Sequence, residues 1–186
     1  MDLTNAAGVV LWTKPPVSEY TFRNYAYAVL SNTAIDTGLA IKSTDYIFVD
    51  FETQQQPRYG SIFYAGKTNI VRAYFDGSNV QAKVGWYNTN VAETVIGSRL
   101  SITFDRQVVT ISNGKSINMS AVPTFTPDTN LIFGGLDTFM LYGFKHGTSA
   151  NHIDRDYTPA IRNSDGTVGF YEKVQGIFIP WGDAAA

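Results

Sequence analysis

The chain has 186 residues, enough for one principal domain with a real core, and it carries 14% aromatic but only 16% charged residues. A formal net charge of −2, with no run of lysines or arginines, argues against a nucleic-acid partner, which would need a basic patch. Without cysteine there is no disulfide framework and no zinc–thiolate site, and no stretch approaches the length of a membrane-spanning helix.

Residues 1–10 lack the basic start and long apolar run of a signal peptide. Val9, Val10, Leu11 and Trp12 form a short strand-like piece before the Pro15-Pro16 break. Two readings of 1–14 stay open: an edge strand of the main fold, or an arm anchored on a partner protein that covers Trp12. Residues 15–181 read as the principal domain and 182–186 as a tail. Strands are expected at 25–30 and at Ile35, where Asp36-Thr37-Gly38 makes a turn. In YIFVDFE (46–52), Ile47, Val49 and Phe51 share one face, while Tyr46, Phe48, Asp50 and Glu52 share the other. Strands at 61–65 and 70–75 flank Gly66-Lys67-Thr68-Asn69, and Asp76-Gly77 turns the chain into a strand at 80–86. Trp86-Tyr87-Asn88 is expected to precede a loop. Leu100, Ile102 and Phe104 alternate with Ser101, Thr103 and Asp105 as in a half-buried strand. A strand at 108–111 and the pair Asn113-Gly114, a two-residue hairpin signal, come next. Pro123 and Pro127 put Phe125 in a loop or edge strand, and 131–133 restarts the sheet. The apolar run 139–144 leads into a polar loop at 146–152, with room for one helical turn at 149–152. Asp165-Gly166 reads as a hairpin turn. With no helical stripe of three turns and about a dozen short strands, the pattern predicts an all-β, antiparallel sandwich of two sheets.

Little in the chain points to catalysis. His146 and His152 flank the polar loop, with no G-x-S-x-G elbow and no H-E-x-x-H pair, and read as exposed loop histidines. Asp154 and Asp156, two apart, are a weak calcium candidate, since calcium takes six or more oxygens. Asp50 and Glu52 share a strand face about 6.5–7 Å apart, within the span of an inverting glycosidase pair. The aromatic set carries more weight: Tyr59, Tyr64, Tyr74, Trp86 and Tyr87 fall in one third of the chain. Gln54, Gln55, Gln56, Arg58, Arg72, Asn88 and Asn90 lie among them. Such rings are either sandwich core or a sugar-stacking platform with polar partners for the hydroxyls. Arg58, Tyr59, Tyr74, Trp86, Tyr87 and Asn88 are the candidate ligand-binding residues; Val9, Val10, Leu11 and Trp12 are the candidate partner anchors.

The segments Leu141-Tyr-Gly-Phe-Lys, Arg155-Asp-Tyr-Thr-Pro-Ala, Asp165-Gly-Thr-Val-Gly-Phe-Tyr and Gly176-Ile-Phe occur in that order. Together with Pro15-Pro-Val-Ser-Glu-Tyr and 27–38, they resemble concanavalin A-like (laminin-G-like) jelly-roll domains of bacteriophage, prophage and gut-bacterial surface proteins. The resemblance spans about Pro15 to Phe178 and implies a jelly-roll sandwich of the lectin/glucanase type. Jelly-roll glucanases carry E-x-D-x-(x)-E on a strand; here Phe48 stands in the first acidic slot, so no enzyme activity is expected. The Arg155-Asp156 pair is expected to make a structural salt bridge to a neighbouring strand. The resemblance implies a lectin-like domain on a bacteriophage virion, in tail fibre, baseplate or capsid surface, binding glycans or the host surface in many copies. It would need no cofactor, calcium being the one candidate, and would sit among other virion proteins as a homo-oligomer or multicopy subunit. The particle would assemble in the host cytoplasm; a bacterial cell surface is the other location. The alternative function is a purely structural virion subunit, such as a capsid decoration or fibre base. A glycoside hydrolase is the third and weakest reading.

Overall fold

The computed structural model describes residues 3–4, 10–12, 19–28, 34–53, 59–93, 96–113, 115–134 and 139–180, with backbone alone at 3–4, 10–12, 26–28, 59 and 139. Among them every regular element is a strand. In chain order these are β1 (Leu3–Thr4), β2 (Val10–Trp12), β3 (Tyr20–Phe22), β4 (Ala26–Ala28), β5 (Ile35–Asp36) and β6 (Tyr46–Thr53). Next come β7 (Tyr59–Ala65), β8 (Val71–Asp76), β9 (Asn79–Val84), β10 (Tyr87–Glu93), β11 (Arg99–Asp105) and β12 (Val108–Ile111). The chain closes with β13 (Ser116–Asn118), β14 (Ile132–Phe133), β15 (Phe139–Ser149), β16 (His152–Arg162), β17 (Val168–Glu172) and β18 (Ile177–Pro180).

Alternation decides the layers. In β6, Ile47, Val49, Phe51 and Thr53 are buried and the residues between them are half-exposed. β8 and β9 alternate likewise, burying Val71, Ala73, Phe75, Val80, Ala82 and Val84. A period of two puts all the apolar groups of a strand on one face, so each sheet has one apolar side. One antiparallel sheet runs β10-β9-β8-β7-β14-β5; the other runs β13-β12-β11-β6-β15-β16-β17-β18, with β3 on β16 and β4 on β15. The buried faces meet as a sandwich. Phe51 of β6 touches Phe75 of β8 edge-on, with centroids 6.0 Å apart, and Phe63 of β7 meets Phe104 of β11 at 5.1 Å. Phe133 of β14 stacks on Phe144 of β15, and Phe144 also stacks on Tyr157 at 4.1 Å and meets Phe170 at 5.3 Å. Each fully buried Phe contributes about 1.5–3 kcal/mol by burial, and each ring pair about 0.5–1.5 kcal/mol more.

The β15–β16 hairpin opens like a fork. Phe144 to Ser149 pair with 152–157, but 139–141 pair with β4 and 160–162 with β3, so 20–28 occupy the gap. Val10–Trp12 pairs with Leu3–Thr4 in a separate two-stranded sheet. Val9, Arg58 and 182–186 lie outside the described residues, as do the side chains of Val10, Leu11, Trp12 and Tyr59.

Several local expectations change. The polar loop at 146–152 is strand on both sides of a tight turn at Ala150-Asn151, with no helical turn: Gly147 pairs with Ile153 and Ser149 with His152. The chain does not loop out after Asn88; Tyr87–Glu93 is a full strand on β9, in which Asn88 and Asn90, poor strand formers, break the apolar alternation. Asp165-Gly166 does turn a hairpin, between β16 and β17, through a four-residue loop closed by Arg162 N–H donating to Thr167 O and Gly166 N–H donating to Arg162 O. Gly166 does take the positive φ, +74°. At Asn113, Ile111 N–H donates to Lys115 O, so three residues lie between the paired ends. Another turn carries strain: Arg106 and Gln107 between β11 and β12 both have positive φ, 48° and 62°. Tertiary bonds hold it, from Arg106 N–H to Thr44 O, from Met119 N–H to Gln107 O, and from Gln107 Nε2 to Ser43 Oγ.

Candidate functional site

β8, β9 and β10 present three rows of side chains on the outer face of the six-stranded sheet, because residues in register on adjacent strands stand side by side. In the first row Tyr64, Arg72, Lys83 and Asn88 are successive partners across β7, β8, β9 and β10. The second row is Ser61, Tyr74, Gln81 and Asn90, and the third Asp76, Asn79 and Glu93. The Tyr74 hydroxyl donates to Gln81 Oε1 at 2.5 Å and accepts from Asn88 Nδ2 at 2.9 Å, while Gln81 Nε2 donates to Asp76 Oδ2. Arg72 donates through Nε to Ser61 Oγ, and its guanidinium lies 4.2 Å over the Tyr74 ring. Burial pushes the Arg72 guanidinium below its ordinary pKa.

Where β9 passes into β10, the turn is two residues, Gly85-Trp86. Gly85 has φ +56° while Trp86 does not take a positive φ, which is the type II′ geometry favoured in tight hairpins. Glycine is required here twice over: a Cβ would also stand 2.8 Å from Val122 Cγ1 and 3.3 Å from Phe125 Cε1. The turn therefore holds Trp86 in the open, 69% exposed, above a hollow of about 500 Å³. Val122, Pro123 and Phe125 give the hollow apolar lining; Thr68, Asn69, Lys83 and Thr124 add polar groups. Its walls are pinned: Gly66 N–H donates to Thr129 Oγ1, Lys67 N–H to Asp128 Oδ1, and Phe125 N–H to Ser43 Oγ. An exposed indole beside convergent amide, hydroxyl and ammonium groups can stack on an apolar ring face while satisfying the hydroxyls at its rim.

Of the sequence candidates, Trp86 lines the hollow, and Asn88 and Tyr74 stand on the adjoining face. Tyr64, Tyr74 and Trp86 are therefore not core: Tyr64 and Tyr74 are half-buried on the outer face and Trp86 is at the turn. Tyr87 pairs with inward-facing Val84 and packs partly buried against the core, with its ring centroid 5.8 Å from that of Trp86. Lys83, Asn69, Thr124 and Phe125 were not singled out by the sequence; the one signal was the Gly-Trp dipeptide after a strand, which marks a tight turn.

The other acidic and histidine candidates are engaged elsewhere. Asp50 and Glu52 lie on the outer face of the ten-stranded sheet. Asp50 accepts two hydrogen bonds from Arg99, at 2.9 and 2.6 Å, and Glu52 accepts from the Tyr142 hydroxyl at 2.6 Å. The Arg99 guanidinium stacks 3.8 Å over Tyr142, and the Glu52 bond holds the Tyr142 hydroxyl above its ordinary pKa. His146 is not exposed; it is buried with Nε2 3.1 Å from Asp45 Oδ2, while His152 is exposed. Burial works against the Asp45 charge, but hydrogen bonds from His146 and Lys42 N–H outweigh it and hold the carboxyl below its ordinary value. Asp156 sits between Lys145 of β15 and Lys173, at 3.6 and 3.8 Å, while Arg155 donates to Asp154 O. Among the described residues no three His, Asp or Glu side chains gather as a metal site. Glu172, missed by the sequence reading, is fully buried and accepts from the N–H groups of Asp156, Val174 and Gln175.

No protein-family model matches the chain, and no curated protein matches it.

Proposed function

We propose that the chain is a non-enzymatic, lectin-like carbohydrate- or host-surface-binding domain of the concanavalin A-like jelly-roll type, carried in many copies on a bacteriophage particle. The observation that carries the binding role is Trp86, held 69% exposed on a constrained turn over the hollow lined by Val122, Pro123 and Phe125. A fixed indole beside an apolar hollow with amide, hydroxyl and ammonium groups at its rim is the arrangement that stacks on a sugar ring face. The jelly-roll type is supported by strands distant in sequence lying side by side: β6 between β11 and β15, and β14 beside β7 and β5. The placement on a virion rests on the resemblance of the closing strands. A non-enzymatic role is supported by the state of Asp50, both of whose oxygens accept from Arg99, and of Glu52, whose Oε2 accepts from the Tyr142 hydroxyl. The structural alternative draws on one observation, the pairing of Val10–Trp12 with Leu3–Thr4 apart from both large sheets, as an anchoring arm would have it.

A glycan array with wild type and Trp86→Ala tests the proposal. Wild type should bind a defined set of glycans, and Trp86→Ala should lose that binding tenfold or more with an unchanged melting temperature. Array binding indifferent to Trp86→Ala would move the site elsewhere; silence across the array with normal incorporation into particles would favour the structural subunit.

A further inference from the structure

The first row of the outer face has an unusual charge arrangement. Arg72 and Lys83 are directly opposed on β8 and β9. Like charges directly opposed across strands destabilise a sheet. Among the described residues neither is ion-paired: Arg72 is bonded to Ser61 and stacked on Tyr74, and no carboxylate lies within ion-pair distance of Lys83. The acids of this face, Asp76 and Glu93, stand in the third row, two rows away and so about 13 Å along the strands. Asn88 completes the cationic row beside Lys83, and Lys83 also lines the hollow under Trp86. Lys83 thus joins the aromatic platform to an uncompensated positive pair.

We propose that Arg72 and Lys83 form an anion subsite continuous with the Trp86 hollow, and that the glycan taken there is acidic, bearing carboxylate or sulfate groups. This rests on the carbohydrate-binding reading and adds the ligand class to it. A ligand anion bridging Arg72 and Lys83 removes their repulsion on binding, and charge-assisted hydrogen bonds from both cations orient it. Asn88 borders the row, its amide N–H groups already donating to the Tyr74 hydroxyl and to Gln81 Oε1, so the cations alone supply the charge. The hydrogen bonds that tie Arg72 to Ser61 and Tyr74 to Gln81 hold the surface in place before the ligand arrives.

The experiment compares matched pairs that differ in charge alone: dextran sulfate against dextran, and oligogalacturonate against its methyl ester, with sodium sulfate as a competitor. Binding is measured by calorimetry for wild type, Lys83→Gln, Lys83→Arg and Trp86→Ala. The expected result is at least tenfold tighter binding of one acidic polymer than of its neutral partner, weakened by added sodium chloride as screening requires. Lys83→Gln should lose that preference, Lys83→Arg should keep it, and Trp86→Ala should weaken acidic and neutral forms alike. Whether sulfate or carboxylate wins names the anion, and competition by sodium sulfate supports the subsite. Equal binding of charged and neutral forms, lost in Trp86→Ala but unaffected by Lys83→Gln, overturns this inference and leaves the carbohydrate reading standing. Acidic binding that survives both Lys83→Gln and Trp86→Ala puts the anion site elsewhere and also overturns it. If no polymer and no arrayed glycan binds wild type, both readings fall. Lys83 is half-exposed, so its variants should fold, and the melting temperature of Lys83→Gln should equal or exceed that of wild type.

Discussion

The outer faces of the two sheets use the same kinds of side chain to opposite ends. On the ten-stranded sheet, Arg99 is clamped by both oxygens of Asp50 and stacks on Tyr142, whose hydroxyl binds Glu52. Charge there is closed within the protein. On the six-stranded sheet, Arg72 also stacks on a tyrosine, Tyr74, but its strand partner is another cation, Lys83. Among the described residues, neither of these two cations has an ion-pair partner. The difference teaches that an aromatic–arginine stack is not itself a sign of a binding site; what marks one is whether the charge has a partner inside the fold.

Both faces rest on one shared interior. Phe144 touches Phe133 of one sheet and Tyr157 and Phe170 of the other. Phe144→Ala should cost about 3–5 kcal/mol in denaturant unfolding, with tryptophan fluorescence and circular dichroism following one transition. Two separate transitions would mean that the faces belong to independently stable layers.

The next effect is alkaline. Burial, with the Glu172 carboxylate nearby, pushes the Tyr157 hydroxyl up to about 12. A raised folded pKa gives stability that is full below the unfolded value near 10 and is lost as pH climbs through 12. The loss should approach about 2–3 kcal/mol, and Tyr157→Phe should flatten that limb of the stability–pH curve. An unchanged curve in the variant would place the alkaline loss on other groups. This limb should be the same whichever face is mutated, which separates interior from surface.

The guarded face should be convertible into an open one. Asp50→Asn with Glu52→Gln frees Arg99 without changing shape, and the double variant should gain dextran sulfate binding by tenfold or more over its parent sheet face, scored in a Lys83→Gln background. No gain would show that an open guanidinium needs the Trp86 hollow beside it.

The smallest effects lie in stability. Arg99→Gln removes a two-toothed but half-exposed pair and should lower stability by about 0.5–1 kcal/mol, whereas Lys83→Gln should leave it equal or slightly higher. Equal losses for the two would erase the contrast between the faces.

How much of this was legible beforehand follows from the range of each force. The alternation in Ile47, Val49 and Phe51, or in Leu100, Ile102 and Phe104, announced all-β strands, because burial of one sheet face has to be written into every second residue. β10 escaped because Asn88, Thr89 and Asn90 give no such pattern; its place comes from hydrogen bonds to β9. The hairpin at 150–151 escaped because strand pairing carries polar residues as well as apolar ones.

The sandwich's apolar faces, the glycines at its tight turns and the richness in aromatic rings are readable residue by residue along the chain. Trp86, Tyr74 and Asn88 could be named there as candidates, since their chemistry is a property of each residue alone. That Tyr87 packs against the core, that Trp86 and Phe125 line one hollow, and that Arg72 faces Lys83 rather than an acid are visible in the folded chain alone. The physical reason is that register and sheet packing are set by contacts summed over the whole core. Whether a charge finds a partner depends on residues brought together from far along the chain, as Asp50 and Arg99 are.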